Sequence, residues 1–202
     1  MAGTGEARKL FLASGNAGKL KEFRALAEVS GRKWELELLP GFATIPEFEE
    51  KAPTFAENAA GKALYYSLHS AGIVFADDSG LVVPALGGAP GVYSARYAGP
   101  GASNEQRIGK LLSEMKGLAG SQRNAYFVCV IAAVRKGRAL AVVSEKVDGE
   151  IADAPRGTHG FGYDPVFYFP PKNRTFAELR AEEKSMHSHR GKAFRRLLEV
   201  LR

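Results

Sequence analysis

The 202-residue sequence predicts an α/β fold, a mixed β-sheet flanked by helices. Three observations carry that expectation. Short apolar runs alternate with stretches whose apolar residues recur at three-and-four spacing, as strands interleaved with helices do. Two long strand-like runs, Asn124 to Arg135 and Leu140 to Val147, flank Lys136-Gly137-Arg138 and read as an antiparallel hairpin. Apolar residues make up 45% of the chain, enough for a substantial core, and the 25% that are charged match an ordinary soluble protein.

Taken in order, Lys9 to Ala13 reads as the first strand and Ser14 to Gly18 as a loop. A helix is expected from near Lys19, with Leu20, Phe23, Leu26 and Ala27 on one face. Trp34 to Leu38 alternates apolar with acidic residues and reads as a strand, and Gly41 to Pro53 reads as a loop. Thr54-Phe55-Ala56-Glu57 has capping-box spacing, so a helix should run through the alanine-rich segment to Ser70. Ile73 to Ala76 is a short apolar strand. Leu81-Val82-Val83 follows, then Leu86 to Gly91, too rich in Gly and Pro for regular structure. Ser103 to Gln106 opens a helix that ends near Met115. Beyond the hairpin the chain is irregular to Pro165, with a short strand at Val166 to Tyr168. A last helix, Ser188 to Leu201, places Phe194, Leu197, Leu198 and Leu201 on one stripe.

The length fits one domain, or one domain with two lobes. No run of about eighteen apolar residues is present, so no transmembrane helix is expected. Residues 1–8 read as a flexible tail without the apolar stretch of a secretory signal, leaving 9–202 as the folded domain. The single cysteine, Cys129, excludes an internal disulfide and reads as a small apolar side chain, and a cytoplasmic enzyme is the simplest setting. The net charge of +6 attracts anions, either nucleic acid or a phosphorylated small molecule. Much of the excess lies between Lys184 and Arg202, where a solvated helix face is the plainer account.

Five segments bear on chemistry. Asp77-Asp78 closes the apolar run Ile73 to Ala76. Adjacent buried carboxylates are costly unless a partner such as hard Mg²⁺ offsets them, and the competing account is an exposed Asp-Asp-Ser-Gly turn. Ser14-Gly15-Asn16-Ala17-Gly18-Lys19 lies between a strand and a helix, where backbone N–H groups, the helix dipole and Lys19 can hold a phosphate. Its spacing is not that of a Walker A loop, and a simple strand-to-helix turn is the alternative. Asn58 and Lys62 share one helix face, where a lysine is ordinarily solvent-facing. Gly160-Phe161-Gly162-Tyr163-Asp164-Pro165 suits a base-stacking shelf or, equally, a tight turn covering the core. Lys184-Ser185-Met186-His187-Ser188-His189-Arg190 clusters cations for an anion or a carbonyl oxygen, and its histidine spacing argues against zinc.

Together these blocks resemble the inosine-triphosphate pyrophosphatase family. The resemblance rests on Ser14 to Lys19, Thr54 to Ala59, Ala76 to Leu81, Gly87 to Tyr97, Gly160 to Pro165 and Glu183 to Gly191, all in the family's order. It implies a long mixed sheet with helices, in two lobes around a central substrate cleft. It also implies Mg²⁺-dependent hydrolysis of deaminated purine nucleoside triphosphates (ITP, dITP, XTP) to monophosphate and pyrophosphate, cleansing the nucleotide pool. By family position Asp78 is the general base and a metal ligand, and Glu50 the second metal ligand, with Glu49 adjacent. Ser14, Gly15, Asn16, Ala17, Gly18, Lys19 and Lys62 would hold the triphosphate, and Ser79 would contact substrate. Phe161 would stack on the base, Gly162, Tyr163 and Asp164 would shape its pocket, and Lys184, His189 and Arg190 would meet the purine edge. The implied partners are the nucleotide and a second copy of the chain in a homodimer, with Gly87 to Tyr97 near the interface. Neither nucleic acid nor membrane is implied. Two rivals are a related pyrophosphatase for modified pyrimidine or ordinary nucleotides, and a basic nucleic-acid binder. The second leaves Asp77-Asp78 unexplained, because acids repel a phosphate backbone.

Overall fold

The strands form one seven-stranded sheet in the order β2-β1-β3-β4-β5-β6-β7. The computed structural model describes residues 8–29 and 34–201. Its strands are β1 (Arg8–Leu12), β2 (Trp34–Leu38), β3 (Ile73–Val82), β4 (Asn124–Arg135), β5 (Arg138–Ile151), β6 (Phe167–Phe169) and β7 (Arg174–Thr175). Its helices are α1 (Ala17–Val29), α2 (Phe55–Ser67), α3 (Asn104–Glu114), α4 (Ala181–His187) and α5 (His189–Val200). β1 runs parallel to β2 and β3, while β6 is antiparallel to β5 and β7, so the sheet is mixed as the pattern predicts. Of the tail expected at residues 1–8, residues 1–7 lie outside the described ones, and Arg8 is the first residue of β1.

The chain divides into two compact units. The first comprises Met1–Asp78, Val130–Ser144 and Ala193–Arg202. Phe23 of α1, Phe75 of β3 and Phe194 of α5 meet in its core, with ring centroids 5.1, 5.3 and 5.7 Å apart. Such pairs add about 0.5–1.5 kcal/mol beyond their area burial. α1 starts at Ala17, ahead of the expected Lys19, because the Lys19 N–H donates to Asn16 Oδ1 at 3.0 Å and makes Asn16 the cap. The Thr54 cap forms as expected, its Oγ1 accepting from the Glu57 N–H at 3.2 Å. α2 stops at Ser67 rather than Ser70, where the N–H groups of Leu68, His69 and Ser70 turn back onto Tyr65, Tyr66 and Ser67 carbonyls in a tighter final turn.

The second unit comprises Ser79–Cys129 and Glu145–Lys192. Its core gathers Leu111 from α3, Phe127 from β4, Ile151 from β5, and Phe167 and Phe176. β5 continues past the expected Val147 to Ile151, because Glu150 and Ile151 pair with Tyr168 and Phe167 of β6. α4 was not expected. It is a seven-residue helix separated from α5 by Ser188, which is extended (φ −65°, ψ 152°) and whose hydroxyl accepts the Gly191 N–H at 3.1 Å. Cys129 is buried and unbridged.

The largest departure is β3. The sequence breaks it after Ala76, whereas the observed strand runs without interruption from Ile73 to Val82, straight through Asp77-Asp78-Ser79-Gly80. Asp77 is 0% exposed and Asp78 6%. The exposed acidic turn is therefore excluded, and the two acids occupy consecutive buried positions of a central strand.

Candidate active site

Asp77 and Asp78 are adjacent on an extended strand, and each has its own partner. Asp77 Oδ2 receives the Lys19 ammonium at 2.9 Å. Lys19 stands in the first turn of α1, so the cap at Asn16 and the ion pair together dock that helix start against β3. Asp78 Oδ2 accepts from the side-chain amide of Asn58 on α2 at 3.0 Å. One turn further along α2, Lys62 pairs with Glu50. Lys62 is thus mostly buried, against the ordinary expectation for a lysine in a mixed helix.

Charge decides how these groups titrate. Burial first, then the nearby Glu50 carboxylate, push the Asp78 carboxyl up to about 6, while the Asn58 hydrogen bond and Lys19 pull the other way. Burial works against the Lys62 ammonium, but Glu50, Asp77 and Asp78 outweigh it and raise its pKa. Asp77, Asp78 and Glu50 thus gather with Lys19 and Lys62. Among the described residues no three His, Cys, Asp or Glu side chains are grouped to cage a metal ion. Mg²⁺ does not require such a cage, since one or two carboxylates plus substrate phosphates are its usual ligands. Asp78 and Glu50, which repel each other strongly enough to move the Asp78 titration, are a donor set that suits it. Glu49, the neighbour that sequence left in contention, instead pairs with exposed Lys51.

The loop before α1 holds itself in shape. The Asn16 N–H donates to Ser14 Oγ at 3.2 Å, with Ser14 buried and Gly15, Asn16 and Ala17 exposed. Ala17 and Gly18 belong to the helix rather than to the loop, and the helix start is open to solvent.

The second unit builds a different surface. Asp164, buried, accepts at Oδ2 from both the Phe161 N–H at 2.8 Å and the Lys184 ammonium at 2.6 Å. Gly160 is at φ +74°, and a Cβ there would lie 2.1 Å from that same oxygen, so only glycine fits. The half-buried Phe161 ring has the Lys184 ammonium 5.1 Å and the Arg190 guanidinium 5.2 Å from its centroid. Arg190, 4% exposed, donates from Nη2 to Ser79 Oγ at 3.0 Å. His189 stacks on Phe127 with centroids 4.6 Å apart and planes at 11°. Tyr163 turns into the core, and its hydroxyl donates to the Ser94 carbonyl at 2.9 Å. Gly162, at φ +64°, makes the turn between them. The basic stretch read as a solvated helix face is therefore divided: Lys184, His189 and Arg190 are buried, and Arg196 is exposed.

Two partners had no announcement in the sequence. Asn58 was placed on the Lys62 face without its link to Asp78, and Phe127 looked like any strand aromatic. The one available signal for Asn58 was an amide, a weak helix former, in the middle of an alanine-rich helix.

A mixed α/β sheet thus carries buried adjacent acids on a central strand, and a half-buried aromatic ring elsewhere in the chain is flanked by two cations. Comparison with known proteins identifies the family. A Ham1 family profile matches residues 10–200, and the chain belongs to that family. It is 50% identical over 192 residues to the dITP/XTP pyrophosphatase of Geobacillus kaustophilus, covering 95% of this chain and 93% of the relative. A HAM1 protein structure from Coxiella burnetii superposes with a TM-score of 0.85 at 41% identity, covering 96% of this chain and 98% of that one. The Staphylococcus aureus Ham1 protein gives 0.82 at 38% identity, covering 96% and 100%. Among the described residues no helix is long and apolar enough to cross a membrane.

Proposed function

We propose that this chain is a Mg²⁺-dependent pyrophosphatase for deaminated purine nucleoside triphosphates, with dITP, XTP and ITP as substrates and the monophosphate and pyrophosphate as products. The observation that carries the reading is Asp78, a buried strand carboxylate coupled to Glu50 and set among Lys19, Lys62 and Asp77. The names of the relatives support the substrate class. The Asp78 and Glu50 carboxylates repel a triphosphate, so nucleotide binding beside them calls for a divalent cation. Held by Asp78 and Glu50, Mg²⁺ would neutralise phosphate charge and stabilise the pyrophosphate leaving group.

The residues divide the work. Ser14 to Lys19 and Lys62 bind the triphosphate through backbone N–H groups and two ammoniums. Asp78 orients a water and accepts its proton as that water attacks the α-phosphorus. Phe161 stacks on the base, and Lys184, His189 and Arg190 meet its edge, with Ser79 beside Arg190. Hypoxanthine and xanthine carry an acceptor oxygen at position 6, where adenine carries a donor amino group. Arg190 can only donate, so adenine leaves a buried donor unmatched at about 1–3 kcal/mol. We also propose a cytoplasmic homodimer with the Gly87 to Tyr97 segment near its interface.

The decisive assay counts pyrophosphate and orthophosphate released from dITP, XTP, ITP and ATP, with and without EDTA. Pyrophosphate from the first three, abolished by EDTA, is the expected result. Orthophosphate alone removes the α–β cleavage, and equal kcat/KM for ATP removes the base preference. Light scattering of the purified chain tests the dimer.

A further inference from the structure

Asn58 is 1% exposed, and its amide is committed at both ends. Oδ1 accepts the Ala52 N–H at 3.0 Å, Nδ2 donates to the Ala52 carbonyl at 3.3 Å, and Nδ2 also donates to Asp78 Oδ2 at 3.0 Å. These partners fix which way the amide points. Flipped, it would set donor against donor at the Ala52 N–H, and oxygen against the Ala52 carbonyl and the Asp78 carboxylate. Ala52 lies two residues from Glu50 in sequence, and Glu50 pairs with Lys62, one helical turn beyond Asn58. One face of α2 therefore grips both acids, Asp78 through Asn58 and Glu50 through Lys62 and the Ala52 anchor. The helix itself does not need this asparagine. Its cap comes from Thr54, and alanine would be the better helix former at that position.

We infer that Asn58 is a positioning residue that sets the orientation and separation of the Asp78 and Glu50 carboxylates for a divalent cation. The inference rests on the proposed roles of those two acids. The bland alternative is a loop anchor that merely satisfies the Ala52 backbone groups, and it makes a different forecast. Losing an anchor lowers stability and leaves metal affinity and turnover alone. Losing a positioning residue behind metal ligands costs about 10–100-fold in affinity or activity.

The experiment compares the full-length protein with Asn58→Ala. It measures Mn²⁺ affinity by EPR without nucleotide, Tm in EDTA, and kcat and KM for dITP. The expected result is a loss of about 10–100-fold in both Mn²⁺ affinity and kcat, with KM moved less than about threefold. Should Asn58→Ala not fold, Asn58→Ser takes its place with the same expectations, keeping a polar partner for Ala52 and giving up the reach to Asp78. Wild-type Mn²⁺ affinity and kcat in a folded variant, whatever its Tm, overturns the inference, as does a rise in KM at constant kcat. If the wild-type protein releases no pyrophosphate from any nucleotide, the proposed function fails while the Mn²⁺ comparison still decides the role of Asn58. Wild-type protein that binds no Mn²⁺ overturns the inference itself.

Discussion

Each unit of the molecule holds a lysine paired with a buried aspartate, Lys19–Asp77 in the first and Lys184–Asp164 in the second, and their surroundings differ. Around Lys19–Asp77 stand Asp78 and the Glu50–Lys62 pair. Around Lys184–Asp164 stands Arg190, with the Phe161 ring beside both cations. Under the proposed function the same pair chemistry serves two purposes. Clustered carboxylates suit a divalent cation, whereas cations beside a flat ring suit a base that presents acceptor oxygens. The identity of an ion pair says little about function, and the groups around it say more.

The severest test of the acidic side is Asp78→Asn. Removing the proposed general base should cost about 10²–10⁴-fold in kcat with nucleotide affinity retained by calorimetry, and near-wild-type turnover would take Asp78 out of that role. Next come Lys19→Met and Lys184→Met, each of which takes the ammonium from a buried carboxylate, at about 3–5 kcal/mol of stability by denaturant titration. The two should part company in kinetics. Lys19→Met should weaken all triphosphates alike, and Lys184→Met should change the ranking of bases; identical substrate profiles would erase the division of labour. Smaller again, Phe161→Ala should cost about 1–3 kcal/mol, about 5–150-fold, in kcat/KM for ITP and ATP equally, since stacking ignores the base edge. Arg190→Ala should instead narrow the ITP-over-ATP ratio.

The gentlest comparison is thermal and needs no substrate. Burial and the Glu50 carboxylate push the folded Asp78 carboxyl from the ordinary 3.8 up to about 6, so the folded state holds the proton more tightly than the unfolded chain. Stability from this group is thus fully present below the unfolded value and is lost as pH rises through about 6. In EDTA, Asp78→Asn should match wild type near pH 4. At pH 7 it should be more stable by about 1–3 kcal/mol, at roughly 2–4 °C in Tm per kcal/mol. A Tm difference that does not grow with pH would mean Asp78 is not strained by its burial and by Glu50.

Much of this was legible beforehand where a local rule governs. The Thr54 and Ser103 caps, the Asn124 to Arg135 strand and the stripe of Phe194, Leu197 and Leu198 follow from spacing and side-chain chemistry. Reading failed at β3, α4 and Lys62. Asp, Ser and Gly favour turns, and partners such as Lys19 and Asn58, delivered to β3 from helices, make an extended, buried course tolerable. α4 is too short for its periodicity to show, and it is set off by the single residue Ser188. Lys62 is drawn inward by Glu50 from a loop that has no pattern of its own.

The sequence by itself determined the alternation of strands and helices, the family resemblance and the residue types available for phosphate, metal and base. Tertiary structure alone decided which charges face which. Asn58 reaches Asp78 across 20 positions and Arg190 reaches Ser79 across 111, distances along the chain at which no periodicity survives. The physical reason is that secondary structure answers to neighbours a few residues away, while a buried charge answers to whatever the fold brings within about 3 Å of it.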